Sequence, residues 1–357
     1  MWDRCPEGSR YRREVQTGDT RGGVIAADND GTVAALGEFG LIAELSGWLP
    51  PDPRTLVGIG DDAAVLAAPD GRVVASTDFL LEGRHFRRDW SSAHDIGRKA
   101  AARSLIDVAA MGAVPTGLLV ALAAPPDLPV SWARDLAAGL AAECARAGAN
   151  VVGGDTARAS SVLLATTGLG DLGGRAPVLR SGAAPGDLVA VAGPLGHAAA
   201  GLALLSAGLT DGPLIAAHQR PAPPYDAGPE AAALGATAMI DISDGLLADL
   251  GHIAAASGVL IDVSSARLGP GDDLLAAARS AILDLTQRGS TSEHSGALAW
   301  VLTGGEDHAL AATFPRGASL PPRWTVIGEV RSAPGNRYRV LVDGQEWAGA
   351  TGWDHFA

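Results

Sequence analysis

Acidic side chains recur beside glycine, serine or threonine at five places along this chain. They lie in residues 58–65, 76–78, 153–155, 241–245 and 304–307. Carboxylates with hydroxyl and carbonyl neighbours form hard oxygen sites of the kind that Mg²⁺ prefers. The adjacent Asp61 and Asp62 would repel each other by about 4 kcal/mol at about 4 Å unless a cation lay between them. Any one of these carboxylates could instead cap a helix or close a turn, but their recurrence favours a shared metal-binding role.

A phosphate group is the natural partner of Mg²⁺ held in this way, because the ion neutralises an anion that an acidic protein would otherwise repel. The formal net charge is −13, which argues against nucleic acid or an anionic membrane as the main partner. A conventional phosphate-binding loop needs Gly-Lys-Ser/Thr. Lys99, the only lysine of the chain, has no serine or threonine after it. An ATP enzyme of this sequence would therefore rely on metal ions and glycine-rich backbone.

Length and composition are those of a globular protein with two domains. The chain has 357 residues, of which 47% are hydrophobic and 19% charged, and single cores stop growing near about 250–300 residues. Cys5 and Cys144 have neither disulfide-framework nor zinc-site spacing, which fits a reducing cytoplasm. No apolar run reaches the roughly 20 residues that span a bilayer, and the charged N-terminus is unlike a secretory signal. We expect a cytoplasmic protein.

Strand and helix patterns alternate in both halves and predict an α/β fold with α+β layers. We expect a short helix from Gly37, further helices at 92–111, 132–148, 198–207 and 246–256, and loops at 221–229 and 289–295. The expected strands are 56–59, 73–76, 117–123, 162–170, 188–192, 238–242, 300–303, 308–314, 325–330 and 339–342. In this scheme most of the acidic residues lie where strands end, and Asp107 lies on a helix.

A Gly/Pro/Arg-rich connector at residues 173–187 predicts a domain boundary. Residues 1–36 lack periodicity, and we expect them to form a mobile extension. We expect residues 37–173 to form an N-terminal domain for ATP, Mg²⁺ and dimerisation. We expect residues 174–357 to form a C-terminal α/β domain that completes the active site.

Several motifs follow one another in an order that resembles one family. They are residues 58–63, 76–78, 82–86, 104–107 with 110–113, 152–156, 180–183 with 185–187, 241–246, 304–307 and 353–356. On these motifs the chain resembles the thiamine-monophosphate kinases of the aminoimidazole-ribonucleotide-synthetase-like superfamily, from about Gly37 to Phe356. The resemblance implies the two-domain fold of that superfamily, with mixed sheets packed against helices in each half.

The resemblance also implies a reaction. The family transfers the γ-phosphate of ATP to the phosphate of thiamine monophosphate, giving thiamine diphosphate and ADP. The transfer is a direct in-line attack with several Mg²⁺ ions and no protein nucleophile. The family further implies a homodimer formed through the N-terminal halves, with ATP near that interface. This chemistry suits the residues, because an anionic phosphate nucleophile needs positioning and charge screening more than a strong general base.

Site roles follow from the matching positions. The implied metal ligands are Asp62, Ser76, Thr77, Asp78, Asp107, Asp155, Asp241 and Asp244. The implied ATP-binding residues are Gly154, Asp155, Arg180 and Ser243, and the implied substrate-binding residues are His85, Glu306 and Trp353. The cationic thiazolium ring of thiamine would suit an aromatic face and a carboxylate, which Trp353 and Glu306 could supply.

Three positions depart from the family pattern. His308 stands where tyrosine is usual, and Ser104 and Ile106 replace asparagine and serine.

Two alternative functions stay open. One is a related ATP-dependent synthetase of the purine-intermediate, selenophosphate or hydrogenase-maturation type, and the other is a non-catalytic Mg-nucleotide sensor. A missing terminal Cys/Lys pattern disfavours the last two synthetase types, and the complete acidic set disfavours the sensor.

Overall fold

The computed structural model describes residues 31–50, 52–59, 63–268, 273–286 and 296–353. The described residues from Gly31 onward form one compact unit. Asp61 and Asp62 lie outside the described residues, as do residues 1–30 of the expected extension and the expected loop at 289–295.

The first half of this unit is a four-stranded mixed sheet with helices on one face. Its elements are α1 (Val33–Ser46), β1 (Thr55–Val57), β2 (Val65–Leu66), β3 (Val74–Leu81), α2 (Ala93–Ala110), β4 (Val114–Ala124), α3 (Val130–Ala147), β5 (Asn150–Arg158) and β6 (Leu163–Asp171). The sheet has the order β3-β6-β4-β5, in which only the β4–β5 pair is parallel. β1 and β2 form a separate two-stranded ladder.

The second half contains a six-stranded sheet. Its elements are β7 (Leu188–Ala192), α4 (His197–Ser206), α5 (Pro213–Gln219), α6 (Ala227–Ala233), β8 (Ala238–Ile242), α7 (Leu246–Ser257), β9 (Val259–Val263), α8 (Asp273–Thr286), α9 (Ala297–Thr303), β10 (Ala309–Phe314), β11 (Trp324–Ser332) and β12 (Arg339–Val342). The order is β12-β9-β11-β7-β10-β8, antiparallel except for the β12–β9 pair.

Helix α2 is the element that positions most of the site. Its alanine-rich sequence favours a helix, and the Ser92 hydroxyl caps the N-terminus by accepting a hydrogen bond from the Asp95 amide. The helix lies very close to the sheet, because a Cβ atom at Gly168 of β6 would come within 2.4 Å of the Ser104 carbonyl oxygen. This close approach holds the C-terminal turns of α2 against the β3–β6 pair.

The two halves share one hydrophobic core. Leu105 and Leu164 of the first half belong to the same buried cluster as Phe314 and Trp324 of the second. The Phe314 and Trp324 rings meet edge to face with centroids 5.2 Å apart, an arrangement that adds to the burial of both rings. α2 is thus fixed relative to the second sheet, which any site between the halves requires.

Most long elements agree with the sequence-based predictions, and the exceptions have physical causes. Residues 300–303 were expected to be a strand but form the end of α9, because a short apolar run does not distinguish a strand from a buried helix. Residues 76–78 and 153–155, which the pattern placed where strands end, lie inside β3 and β5, where pairing with the neighbouring strands continues past them. The expected loop at 221–229 ends in the first turn of α6.

Other elements were not expected at all. The sequence analysis did not predict α5, α8 or β9, and it started α1 at Gly37 rather than at Val33. Gly37 has a φ of 67° inside that helix, a conformation that glycine tolerates and that resembles a helix start. Among the described residues, no helix combines the length and apolar character needed to cross a membrane.

Candidate active site

Two carboxylates of the first half are held by hydroxyl groups between β3 and α2. Ser76 donates a hydrogen bond of 2.5 Å from Oγ to Oδ2 of Asp107. Ser104 donates one of 3.0 Å to Oδ2 of Asp78. Because alternate residues of a strand share a face, Ser76 and Asp78 both face α2, and the helix brings Asp107 to them. The side chain of Thr77 faces the other way and meets Thr167 at 2.7 Å, so it is not brought to this group.

The second half adds carboxylates where β8 ends. Asp249 of α7 accepts hydrogen bonds of 3.1 Å from the amides of Ser243, Asp244 and Gly245. This contact fixes the turn that carries Asp244. We call Asp78, Asp107, Asp241, Asp244 and Asp249 the acidic cluster.

In the acidic cluster, burial and neighbouring negative charges raise the pKa values of two carboxyl groups. Burial, followed by the charges of Asp241 and Asp78, raises the pKa of Asp107 to about 7. Burial, followed by the charges of Asp241 and Asp244, raises the pKa of Asp249 to about 8. Since Asp241 affects Asp107 of the other half, carboxylates from both halves lie close enough to interact strongly.

The acidic cluster fits divalent cations in its chemistry, although it is not a preformed coordination shell. In the described part of the chain, no three acidic, histidine or cysteine side chains meet closely enough to hold an ion. Oδ2 of Asp241 is nevertheless buried and has no hydrogen-bond partner in that part. Buried, mutually repelling carboxylates with an unused oxygen are stabilised by a proton or by a metal ion. Asp62 lies outside the described residues.

The residues implied for ATP lie in three different places. Gly154 and Asp155 line an apolar cavity of about 110 Å³ beneath α1, and Asp155 itself is exposed on β5. Arg180 is exposed on the connector, where its carbonyl oxygen accepts a hydrogen bond of 3.0 Å from Ser257. Ser243 lies at the end of β8, beside the acidic cluster. The structure does not bring these four residues into one pocket.

The three residues implied for the substrate do share one cavity. His85, Glu306 and Trp353 line a cavity of about 390 Å³ together with Lys99, Ser243 and Asp244. We call it the aromatic cavity. Trp353 is 60% exposed and its amide donates a 2.9 Å hydrogen bond to the Asp244 carbonyl. The aromatic cavity therefore borders the acidic cluster.

Residues 304–307 bring Glu306 to the aromatic cavity. The Glu306 amide donates a 2.8 Å hydrogen bond to the Ser243 carbonyl, and Asp307 accepts hydrogen bonds from the amides of Gly196 and Ala198 at 2.5 and 2.8 Å. Burial raises the pKa of Asp307 to about 6. Glu306 has a φ of 69°, which is uncommon for a non-glycine residue and marks a tightly constrained position.

Glu306 is paired with two cations of α2. Oε2 lies 2.9 Å from Nζ of Lys99, and Oε1 contacts Nη1 of Arg103. Burial would raise the pKa of Glu306, but Lys99 and Arg103 outweigh it and hold the pKa well below its usual range. The sequence analysis assigned no role to Lys99 or Arg103. Their spacing from Asp107, at i, i+4 and i+8, is the signal that could have found them.

His308 adds a buried imidazole to the same region. Its Nδ1 lies 3.5 Å from Oδ2 of Asp241, and neither ring nitrogen has a hydrogen-bond partner in the described residues. Its φ of 53° is also left-handed. Of the three departures, Ser104 contacts Asp78 directly, Ile106 is buried in the core, and His308 faces the acidic cluster.

Comparisons with known proteins agree with this geometry. Residues 60–172 match the family model of the AIR synthase related protein, N-terminal domain, and residues 184–340 match that of the C-terminal domain. Over 326 residues the chain is 47% identical to the thiamine-monophosphate kinase of Mycobacterium tuberculosis (strain ATCC 25618 / H37Rv), covering 91% of this chain and 93% of that protein. The chain belongs to the thiamine-monophosphate kinase family. The expected family, fold class and kinase activity class are thereby confirmed.

Solved structures support membership of the thiamine-monophosphate kinase family. The crystal structure of thiamine-monophosphate kinase from Stenotrophomonas maltophilia K279a has a TM-score of 0.70 and 32% identity, covering 85% of this chain and 96% of that one. The structure described as AaThiL complexed with AMPPCP and TMP also has a TM-score of 0.70 and 32% identity. It covers 90% of this chain and 98% of that one.

Proposed function

We propose that this enzyme transfers the γ-phosphate of ATP to the phosphate of thiamine monophosphate, forming thiamine diphosphate and ADP. The observation that carries the proposal is the juxtaposition of the aromatic cavity with the acidic cluster. A thiamine ring in the cavity would place its phosphate toward the carboxylates of both halves. The relatives that bear this activity cover nearly the whole chain, which supports the same reaction here.

Mg²⁺ is the cofactor that the acidic cluster suits. We propose as its ligands Asp62, Ser76, Thr77, Asp78, Asp107, Asp155, Asp241 and Asp244, with Thr77 able to contribute only its backbone because its side chain faces away. Bound Mg²⁺ would screen the charge of the two phosphates and of the leaving diphosphate.

The protein's own groups hold the reactants in line. The substrate phosphate is already an anionic nucleophile at neutral pH, so a protein nucleophile or strong base is not needed. We propose that Trp353 and His85 orient the thiamine rings and that Gly154, Asp155, Arg180 and Ser243 contact ATP. Because Arg180 and Ser243 lie apart from Gly154, ATP would have to extend between these places.

We also propose a homodimer formed through the first halves. Leu80 of β3 is buried, whereas Phe79 on the opposite face is 56% exposed, and Leu56 of β1 is 65% exposed. Burying these side chains against a second copy of the chain would stabilise such a dimer. The division into domains at residues 37–173 and 174–357 is a proposal supported by the two separate sheets, and a cytoplasmic location is one supported by cysteine usage.

The deciding experiment supplies the purified protein with ATP, Mg²⁺ and thiamine monophosphate and separates the thiamine compounds by chromatography. We expect thiamine diphosphate and ADP in equal amounts. Release of ADP at the same rate with and without the thiamine compound would assign another reaction of the superfamily, and absence of both products would favour a nucleotide sensor.

A further inference from the structure

Helix α2 carries two cations and a carboxylate in line between the aromatic cavity and the acidic cluster. Lys99, Arg103 and Asp107 are four residues apart, so they lie on one helix face at steps of about 6 Å. Lys99 borders the aromatic cavity, and Asp107 belongs to the acidic cluster. Arg103 therefore lies between the proposed positions of the thiamine ring and of the metal ions.

Lys99 is an ammonium buried inside this boundary. Its side chain is 2% exposed, and Nζ lies 2.9 Å from Oε2 of Glu306. It also donates a hydrogen bond of 3.2 Å to the carbonyl oxygen of His218. An ammonium has three donors, so one more acceptor can be bound from the cavity side.

Arg103 has donor capacity that the protein does not use. Its side chain is 10% exposed, and Nη1 contacts Glu306. Nη2 lies 3.9 Å from Oδ1 of Asp78, beyond hydrogen-bond distance. Nε is buried and has no hydrogen-bond partner in the described residues. The edge formed by Nε and Nη2 has the fork geometry that binds two oxygens of a phosphate.

We propose that Arg103 and Lys99 bind the phosphate of the phosphate-monoester substrate. Glu306 is the counter-ion that holds both cations in place before the substrate arrives. This inference rests on the proposed function, which it deepens by assigning the acceptor phosphate a position on α2.

The charges also determine the orientation of the substrate. Lys99 and Arg103 place two cations against the one carboxylate of Glu306, and these cations attract a phosphate and repel a thiazolium ring. The cationic ring then lies at the Trp353 end, and its phosphate points toward the acidic cluster. Glu306 acts on the substrate through the two cations.

Binding measurements test the inference without requiring turnover. Isothermal titration calorimetry with Mg²⁺ and without nucleotide would compare wild type, Arg103→Gln and Lys99→Gln. The probes are thiamine monophosphate, thiamine and phenyl phosphate. We expect both variants to bind the two phosphate esters about 10- to 100-fold more weakly, since each loses a charge-assisted hydrogen bond. Binding of thiamine should not weaken.

Arg98→Gln is the matched control, because Arg98 is on the same helix but pairs with Glu143 at 2.8 Å. It should bind every probe like wild type. Arg103→Lys keeps the charge and loses the fork, so it should weaken phosphate binding less than Arg103→Gln. If Arg103→Gln fails to fold, Arg103→Lys replaces it, and unchanged phosphate binding by that variant overturns the inference.

The outcomes separate this inference from the proposed function. Unchanged phosphate-ester binding by Arg103→Gln and Lys99→Gln, or equal loss of thiamine and thiamine monophosphate, overturns the inference. If wild type makes no thiamine diphosphate but Arg103→Gln still loses phenyl phosphate selectively, the proposed function fails and the phosphate site stands.

Discussion

Ser76 of strand β3 donates a 2.5 Å hydrogen bond to Asp107 of helix α2, although burial and two neighbouring carboxylates raise the pKa of Asp107 to about 7. The hydroxyl favours the charged form of a carboxylate that its surroundings disfavour. Keeping the charged form of Asp107 here costs stability unless a cation binds. Asp107 is therefore the residue on which the metal proposal is tested most directly.

Replacing Asp107 by asparagine should reduce turnover by about 10²–10³-fold, because a ligand charge is lost. Without metal the melting temperature should stay the same or rise, since a buried repulsive charge is removed. Turnover and melting temperature are measured with and without Mg²⁺. Asp135→Asn, an exposed residue of the neighbouring helix, is the control and should change neither. A parallel collapse of turnover and metal-free melting temperature would make Asp107 structural.

The metal-free protein should lose stability as the pH rises from about 5 to about 8. Burial and like charges raise the pKa of Asp107 to about 7 and that of Asp249 to about 8, and burial raises that of Asp307 to about 6. The folded state then binds more protons than the unfolded state above the unfolded pKa of about 3.9, so the stability these groups contribute is lost as the pH passes their folded pKa values. Melting temperatures in a chelator report this, and Asp249→Asn should flatten the curve. A rising curve over this range contradicts the assignment.

Trp353→Ala should raise the KM for thiamine monophosphate about tenfold and leave the KM for ATP unchanged, because an aromatic face for the cationic ring is lost. Trp353 is 60% exposed, so the folded protein should tolerate the change. Trp48→Ala serves as control, because Trp48 lies just after helix α1 and is also exposed, at 51%. Equal increases in both KM values would show a general disturbance of the site.

Tyr225→Phe should lower the free energy of unfolding by about 1–2 kcal/mol without changing kcat. The Tyr225 hydroxyl donates a 2.9 Å hydrogen bond to Oε1 of Glu143, which is fully buried, and its loss leaves a buried acceptor less satisfied. Urea unfolding measures the effect. Tyr338 is 43% exposed, and Tyr338→Phe should stay within about 0.5 kcal/mol. If both substitutions lowered the free energy of unfolding equally, the hydrogen bond from Tyr225 to Glu143 would not be the cause of the loss.

Gly168→Ala should destabilise the protein by about 1–3 kcal/mol and reduce turnover as well. The added Cβ would come within 2.4 Å of the Ser104 carbonyl oxygen and push α2, with Asp107, away from β3. Gly251→Ala is the control, because nothing lies within 4 Å of its added Cβ. That helical change should stabilise by about 0.5–1 kcal/mol. The two urea midpoints must therefore move in opposite directions, and a shared direction refutes the close approach of α2 to β6.

The sequence by itself determined the family, the α/β fold class and most long elements. The order of the motifs and the apolar periodicity of segments such as α2 and α3 can be recognised in the amino-acid sequence without knowledge of the structure. It also identified three of the residues that line the aromatic cavity, since His85, Glu306 and Trp353 belong to motifs. It failed at residues 300–303, where three apolar residues and a threonine fit either a strand or a helix.

Only the tertiary structure decided which charges meet. Lys99 has no motif around it, and its contact with Glu306 depends on how α2 packs against the second half. In the same way, the side chains of Thr77 and Asp78 point to opposite faces because residues alternate along β3, a strand that the sequence pattern ended at residue 76. Interactions between distant positions are set by packing of whole elements, which no local pattern encodes.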